Sequence, residues 1–410
     1  MVTSRRGYTA TVRACAWPRR LALGALLSAG ACRALTGLDD LSLDDGPGAG
    51  GSTCSCDLAN ADTQCADDGS CELLTCQSGF LSCDGDDESG CETPISADPD
   101  NCGACDRGCL GAACVAGRCQ PVVLAENVGN PTVLVLHGDW VYYVTDQGDD
   151  SVIGRVPRSP SDGLPTPPEP IVVEPNPTAH GLVTDDTSLI WGSRSSNEMR
   201  RVPLDGGASE LLFTANDPWD IKRDGDVLYW TERVPGNLRR ANAEVGATIE
   251  TLASGLSRPF ELILDDTHVY WTDQDDSTLN RILHDGAGLE LAIATTPRDD
   301  VSGMGLAQSS DAVFWTGSTP SIAGDVLRYD KRSGEATTFV EGDVTRSVAV
   351  DDTHVYWVDK LNNAVLRRPL AGGSDETLVE FQLSPQGIVV DDEAVYWANF
   401  SGASIVKVAK

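Results

Sequence analysis

The segment Val269-Tyr270-Trp271-Thr272 decides the fold, because six related segments recur along the same part of the chain. Each is a short apolar run that ends at or just after an aromatic residue, usually tryptophan. The others are Val141-Tyr142-Tyr143-Val144, Leu189-Ile190-Trp191, Leu228-Tyr229-Trp230-Thr231, Val313-Phe314-Trp315-Thr316, Val355-Tyr356-Trp357-Val358 and Val395-Tyr396-Trp397. Measured from Tyr143 and then from each tryptophan, successive copies are 48, 39, 41, 44, 42 and 40 residues apart. A period near 40 with short strands is typical of a β-propeller, in which each repeat forms one four-stranded blade. The seven copies predict an all-β fold with a seven-bladed β-propeller.

Paired aspartates lie just before four of these anchor segments: Asp185-Asp186, Asp265-Asp266, Asp351-Asp352 and Asp391-Asp392. Short polar side chains close hairpins by bonding to the nearby backbone. We therefore interpret the pairs as turn residues, with calcium binding as the alternative.

A basic residue recurs about ten positions after each anchor. The spacing is ten for Arg201, Arg240, Arg281, Arg367 and Lys407, and 12 and 13 for Arg155 and Arg328. Acidic residues two positions after the anchor, Glu232, Asp273 and Asp359, could pair with some of them across strands. We expect these charges to hold blades together, because a ligand site rarely repeats in nearly every blade. A charged ring that binds a ligand is the alternative.

The last repeat reaches only its third strand, Ser404 to Val408, before the sequence ends. The segment 121–127 has the profile of a fourth strand such as Glu250-Thr251-Leu252-Ala253-Ser254-Gly255. We expect it to complete the seventh blade and so remove an open sheet edge. The propeller domain is then 121–410. This part of the chain resembles the YWTD propellers of lipoprotein receptors, most clearly at Tyr270-Trp271-Thr272-Asp273, although that family usually has six blades.

Residues 54–119 form a cysteine-rich segment. It contains Cys54, Cys56, Cys65, Cys71, Cys76, Cys83, Cys91, Cys102, Cys105, Cys109, Cys114 and Cys119, and no histidine. An even count at this density predicts a disulfide module with up to six bridges of open connectivity, and no zinc site. The stretch from Ser82 to Cys105 resembles a cysteine-rich module of exported bacterial surface proteins. We expect a protease-resistant stalk.

The N-terminus has the layout of a secretory signal. Residues 1–31 contain five arginines and no acidic residue, and end in an apolar run from Leu21 to Ala31. Ala29-Gly30-Ala31-Cys32 resembles the lipobox of bacterial lipoproteins, which implies a lipid attached to Cys32. Residues 32–53 are rich in glycine and aspartate and predict a flexible tether. The predicted location is the outer membrane or cell surface of a bacterium.

The composition excludes several classes of function. There are 62 acidic and 30 basic residues, a net charge of −32, which argues against a nucleic-acid partner. No G-x-S-x-G, H-E-x-x-H or Gly-Lys motif occurs. The sequence gives no reason to expect a cofactor or a metal ion.

Candidate ligand residues are those that depart from the repeat at one face of the propeller. Propellers usually bind ligands where loops enter the innermost strands and where loops follow the anchor strands. The departures there are His180, Arg194, Trp219, Asp220, Arg233, Phe260, Lys360 and Phe400. Exposed aromatic side chains beside arginines suit recognition of a protein or glycan.

The sequence favours a lipid-anchored binding module for a protein or glycan of the cell envelope. The first alternative is a metal-dependent enzyme that uses His180 and Asp220, either a polysaccharide-degrading enzyme or a lyase resembling the virginiamycin B lyase propeller. The second is a purely structural envelope component.

Overall fold

The computed structural model describes residues 55–146, 150–160, 163–175, 179–296, 302–319, 322–344 and 347–410. The predicted signal peptide, the tether, Cys32 and Cys54 lie outside these residues. All regular secondary structure in the described part is β-strand or isolated bridge. No described helix is long and apolar enough to cross a bilayer.

Seven four-stranded antiparallel sheets form the blades, which confirms the predicted fold class. Five blades have these strands: blade 1, β6 (Asn130–His137), β7 (Trp140–Asp146), β8 (Asp150–Pro157) and β9 (Glu169–Pro175); blade 2, β10 (Ala179–Thr184), β11 (Ser188–Ser193), β12 (Glu198–Pro203) and β13 (Glu210–Thr214); blade 3, β14 (Pro218–Asp224), β15 (Val227–Glu232), β16 (Asn237–Asn242) and β17 (Glu250–Ser254); blade 4, β18 (Pro259–Leu264), β19 (His268–Asp273), β20 (Thr278–Leu283) and β21 (Glu290–Thr295); blade 5, β22 (Ser302–Gln308), β23 (Ala312–Thr319), β24 (Ile322–Asp330) and β25 (Ala336–Val344). The last two are blade 6, β26 (Val348–Val350), β27 (His354–Asp359), β28 (Ala364–Pro369) and β29 (Glu376–Val379); and blade 7, β30 (Pro385–Val390), β31 (Ala394–Asn399), β32 (Ser404–Ala409) and β5 (Val122–Glu126).

The blades close into a ring. Each innermost strand contacts the innermost strand of the next blade, from β6 through β10, β14, β18, β22, β26 and β30 back to β6. The outermost strand of blade 7 comes from before blade 1, because β5 pairs antiparallel with β32, with Ala125 opposite Ile405. The two ends of the propeller sequence therefore meet in one sheet.

The anchor aromatics form the core between the blades. Tyr143 and the six anchor tryptophans lie in the second strand of each blade and are at most 2% exposed. Alternation along a strand sends neighbouring side chains to opposite faces of a sheet. The anchor ring therefore packs toward the preceding blade, as Trp191 does in one core with Tyr142.

Some of the recurring basic residues connect neighbouring blades, as expected. Arg155 pairs with Glu169 in its own blade and donates to the Leu204 carbonyl of the next blade at 3.1 Å. Arg201 and Arg240 make the same two kinds of contact. The acidic partners are not the expected residues two positions after the anchors. They are the first residues of the fourth strands: Glu169, Glu210, Glu250, Glu290 and Glu376.

The paired aspartates are turn residues. The first Asp of each pair accepts backbone hydrogen bonds from the residues two and three positions later, as Asp265 does from Thr267 at 2.9 Å and from His268 at 2.8 Å. Asp185, Asp351 and Asp391 do the same. The turn interpretation explains these carboxylates without calcium.

The cysteine-rich segment contains two small hairpins, β1 (Ala61–Cys65) with β2 (Cys71–Cys76), and β3 (Cys114–Val115) with β4 (Arg118–Cys119). Five disulfides cross-link it: Cys56–Cys71, Cys76–Cys91, Cys83–Cys105, Cys102–Cys114 and Cys109–Cys119. Cys65 is also disulfide-bonded.

The cysteine-rich segment packs on the propeller, so the prediction that it forms a stalk is wrong. Its last two disulfides share a hydrophobic core with Tyr356, Trp397 and other residues of blades 6 and 7. The Arg107 Nε donates to the carbonyl of Lys410 at 2.9 Å. Residues 55–119 therefore belong to the same compact unit as the blades.

Candidate functional site

One face of the propeller carries the candidate ligand residues. Because each blade is an antiparallel meander, the loop that enters its first strand and the loop between its second and third strands lie at the same end. We call this end the entry face. His180, Trp219 and Phe260 begin innermost strands there, and Arg194, Arg233, Lys360 and Phe400 lie in the second kind of loop.

Three aromatic rings line one side of the channel mouth. His180, Trp219 and Phe260 are each the second residue of an innermost strand, in blades 2, 3 and 4. Adjacent blades bring equivalent positions together, so the rings stack: His180 on Trp219 at 3.9 Å between centroids, and Trp219 near Phe260 at 4.6 Å. Trp219 is only 9% exposed and Phe260 5%, so the expectation of exposed aromatics is wrong for these two. Their neighbours cover them.

Two arginines complete this group. The guanidinium carbons of Arg194 and Arg233 lie 4.6 and 4.5 Å from the centroid of the Trp219 ring, within the range of cation–π attraction. Arg194 Nε also donates to Asp217 at 2.5 Å. We call His180, Arg194, Trp219, Arg233 and Phe260 the mouth cluster.

Arg233 differs from Arg194 in its partners. In the described part of the chain its guanidinium has no carboxylate within ion-pair distance, and its one side-chain hydrogen bond goes to the neutral Gln274 at 3.2 Å. Its Nε is buried without any hydrogen-bond partner there. Stacking on Trp219, and not ion pairing, therefore sets the position of this cation.

Below the mouth is a central cavity of about 700 Å³. Its wall is mainly aliphatic, and its polar side chains include His180, Asp220, Lys222 and Glu261. His180 and Asp220, which the enzyme alternative names, thus line one cavity together with Lys222 and Glu261, which the sequence analysis did not single out.

The Asp220 carboxylate is already occupied. It accepts hydrogen bonds from Lys222 Nζ at 2.8 and 2.7 Å, from the Ile221 N–H at 2.9 Å and from the Leu262 N–H of blade 4 at 3.0 Å. Glu261, one blade on, accepts from the Leu306 N–H in the same way. Asp220 therefore has a structural role between blades, which leaves it little capacity to act as a base or a metal ligand.

Lys360 and Phe400 do not join the mouth cluster. They lie in loops of blades 6 and 7, and both are half-buried. The eight predicted residues thus form no single site. The sequence analysis also missed Phe381, which is 88% exposed in the loop between β29 and β30 on the same face. The signal was present, since a bulky residue occupies a turn position at which blades 7 and 3 have Asn127 and Gly255.

Asp273, at the end of β19, is a buried carboxyl group on the entry face. It is 4% exposed, and its Oδ1 has no hydrogen-bond partner in the described residues. Burial raises the pKa of Asp273 to about 7, and the nearby charges of Asp276 and Asp275 act in the same direction. The equivalent Glu232 is satisfied by the Asn216 N–H, Asn237 and Arg239.

No family model matches the chain. Solved structures with a similar fold include a catalytically inactive virginiamycin B lyase from Staphylococcus aureus with quinupristin, at 16% identity and a TM-score of 0.58, over 71% of this chain and 98% of that one. A streptogramin B lyase matches at 15% identity and a TM-score of 0.57, over 70% and 96%. The extracellular domain of a one-component system from B. thetaiotaomicron matches at 13% identity and a TM-score of 0.53, over 70% and 39%. At these identities the likeness concerns the fold alone. The chain is a seven-bladed β-propeller with a disulfide-rich N-terminal segment.

Proposed function

We propose that this protein is an exported binding module, and that its mouth cluster recognises a carboxylate-bearing part of a protein or glycan of the cell envelope. The observation that carries the proposal is Arg233, a cation fixed on Trp219 without a carboxylate partner in the described part of the chain. A guanidinium has five donors arranged to suit a carboxylate. Of the adjoining rings, His180 lines the central cavity and would contact the rest of the ligand.

The chemistry of the cavity supports binding over catalysis. The carboxylate of Asp220 is held by Lys222 and two backbone N–H groups, so it is not free to take a proton or a metal ion. The imidazole of His180 lies flat on Trp219, at an interplanar angle of 16°. Both contacts weigh against the enzyme alternative, which needs these two groups free to react.

The experiment titrates the full chain with oligogalacturonate, with a poly-glutamate peptide and with a neutral galactose oligomer, by calorimetry. We expect a carboxylated probe to bind and Arg233→Gln to weaken its affinity at least about tenfold, since a charge-assisted hydrogen bond is lost. Arg258→Gln is the matched control, because Arg258 lies on the same face but pairs with Asp275. It should change the affinity less than about twofold.

Equal binding of the neutral oligomer, or an equal loss of affinity in the two variants, would contradict the proposal that the mouth cluster binds a carboxylate.

The shared cavity of His180, Asp220 and Glu261 is the one observation that favours the enzyme alternative. Melting curves with Mg²⁺ and Ca²⁺ test it, because a ligand of the folded state raises the midpoint. A rise that His180→Ala abolishes would favour the enzyme.

We also propose that residues 1–31 direct export, that Cys32 carries a lipid and that 32–53 tether the protein to a bacterial outer membrane or cell surface. The disulfides support export, since such bridges persist in oxidising compartments. Cys32→Ala should move the protein from the membrane pellet to the soluble fraction. Cys15→Ala, which changes the cysteine within residues 1–31, is the matched control and should stay in the pellet. Membrane sedimentation of Cys32→Ala would contradict the anchor.

A further inference from the structure

A second feature of the entry face, separate from the mouth cluster, is an apolar projection on blades 6 and 7. The loop between β29 and β30 exposes Phe381 to 88% and Leu383 to 59%. Leu361, in the loop between β27 and β28, is 53% exposed. Single exposed apolar side chains are common on protein surfaces. A group made of an almost fully exposed phenylalanine and two exposed leucines calls for an explanation.

The backbone conformation at Phe381 is unfavourable for a bulky side chain. Its φ is +61°, in the left-handed region that bulky side chains rarely adopt. The equivalent residues after the fourth strands of blades 7 and 3 are Asn127, at φ +60°, and Gly255, at φ +72°. In all three blades the next N–H donates to the loop between the second and third strands: Val128 to Ala403, Leu256 to Gly236 and Gln382 to Asn363. The turn thus favours asparagine or glycine, and the fold gains nothing visible from phenylalanine.

The loop is nevertheless held firmly. Gln382, between the two exposed residues, is buried, and its Oε1 accepts from Trp397 Nε1 and from Asn399 Nδ2, each at 3.0 Å. The carbonyls of Leu383 and Ser384 accept backbone N–H groups from the next blade at 3.2 and 3.1 Å. These hydrogen bonds fix the backbone that carries Phe381, so little backbone entropy is lost on binding.

We propose that Phe381 and Leu383 form a docking anchor for a partner protein that offers an apolar pocket with a rim of lysine and arginine. The aliphatic neighbours Leu361 and Leu383 suit a protein pocket better than a sugar ring. The net charge of −32 argues for a basic rim and against an anionic membrane surface. This anchor does not depend on the function proposed for the mouth cluster.

The test variant is Phe381→Gly, because glycine adopts this φ without strain. We expect its melting midpoint to equal or exceed that of the wild type, whereas a residue with a structural role would lower it. Val245→Gly is the control, since Val245 is 59% exposed in a loop at the opposite end of blade 3.

Random dodecapeptides displayed on phage are selected on the full chain, with Phe381→Gly as the counter-target. We expect enriched peptides with an aromatic or aliphatic residue flanked by lysine or arginine. Synthetic copies should bind at least tenfold more weakly to Phe381→Gly, and unchanged to Val245→Gly and to Arg233→Gln. Peptides that do not distinguish wild type from Phe381→Gly, or that are acidic, would overturn the proposal. So would Phe381-dependent sedimentation with phosphatidylcholine–phosphatidylglycerol vesicles, which would identify a lipid surface instead.

Discussion

Single residues on the entry face are recognisable because each departs from what its repeat position requires. Phe381 stands where the backbone favours glycine or asparagine. Within the described part of the chain, Arg233 has no carboxylate at ion-pair distance, whereas Arg194, in the equivalent loop one blade earlier, pairs with Asp217. Asp273 is a buried carboxyl group whose Oδ1 has no hydrogen-bond partner among the described residues, where Glu232 in the neighbouring blade is satisfied. A seven-fold repeat supplies an internal reference for each of these residues.

Asp273 makes folding stability depend on pH. Its pKa is about 7 in the folded chain, above the ordinary value of 3.8, so the folded chain binds this proton more tightly than the unfolded chain. The contribution of Asp273 to stability therefore falls as pH rises from about 4 to about 7. Above pH 7 the ionised carboxylate destabilises the folded chain to its full extent. The folded chain is least favoured where the carboxylate is ionised.

We therefore expect Asp273→Asn to raise the melting midpoint at pH 8 by several degrees and to raise it less at pH 5, since each kcal/mol is worth about 2–4 °C in a domain of this size. Melts of both proteins at the two pH values measure this. Asp266→Asn is the control, because Asp266 is an exposed aspartate of the same blade, in the turn between β18 and β19 at the opposite end from Asp273. The same gain for Asp273→Asn at both pH values would mean that ionisation is not the cause.

At the scale of strands, the pattern of the sequence was sufficient for the architecture. The anchor in the second strand of each blade, the Asp turns and the closing strand at 122–126 are all local signals with a fixed period. They lie in the structure where the period puts them. The acids that pair with the recurring arginines were expected in the second strand of a blade, whereas they lie in the fourth. Glu232 and Glu250 are equally plausible in sequence, and only the cross-strand register, with Arg240 opposite Glu250, separates them.

The candidate site was only partly predictable, because it depends on which elements become neighbours. His180, Trp219 and Phe260 were each noticed as exceptions, but their mutual stacking, and hence their burial, follows from equivalent strand positions in adjacent blades. The occupation of Asp220 by Lys222 and by a backbone N–H of blade 4 has no signature in sequence.

At the scale of the whole molecule, the ring is closed by a strand from the other end of the propeller sequence. In blades 1 to 6 the fourth strand follows the third directly, whereas β5 and β32 are brought together only by folding. The disulfide segment lies immediately before β5 and packs on blades 6 and 7, where Arg107 also bonds to Lys410. This segment therefore helps to hold the closing strand in place.

Ala125 and Ala253 test the closure as a matched pair. Both are buried alanines in a fourth strand, at 0% and 5% exposure, opposite Ile405 and Leu238 at the same register. Aspartate at either position buries an unpaired charge, which costs about 3–5 kcal/mol if the strand stays in place. Ala253→Asp should release only the outer strand of blade 3, while Ala125→Asp should open the ring. We expect a larger drop of the melting midpoint for Ala125→Asp, with faster hydrogen exchange in blades 1 and 7 together, and faster exchange confined to blade 3 for Ala253→Asp. Equal midpoints and exchange confined to β5 would mean that the ring does not depend on this strand.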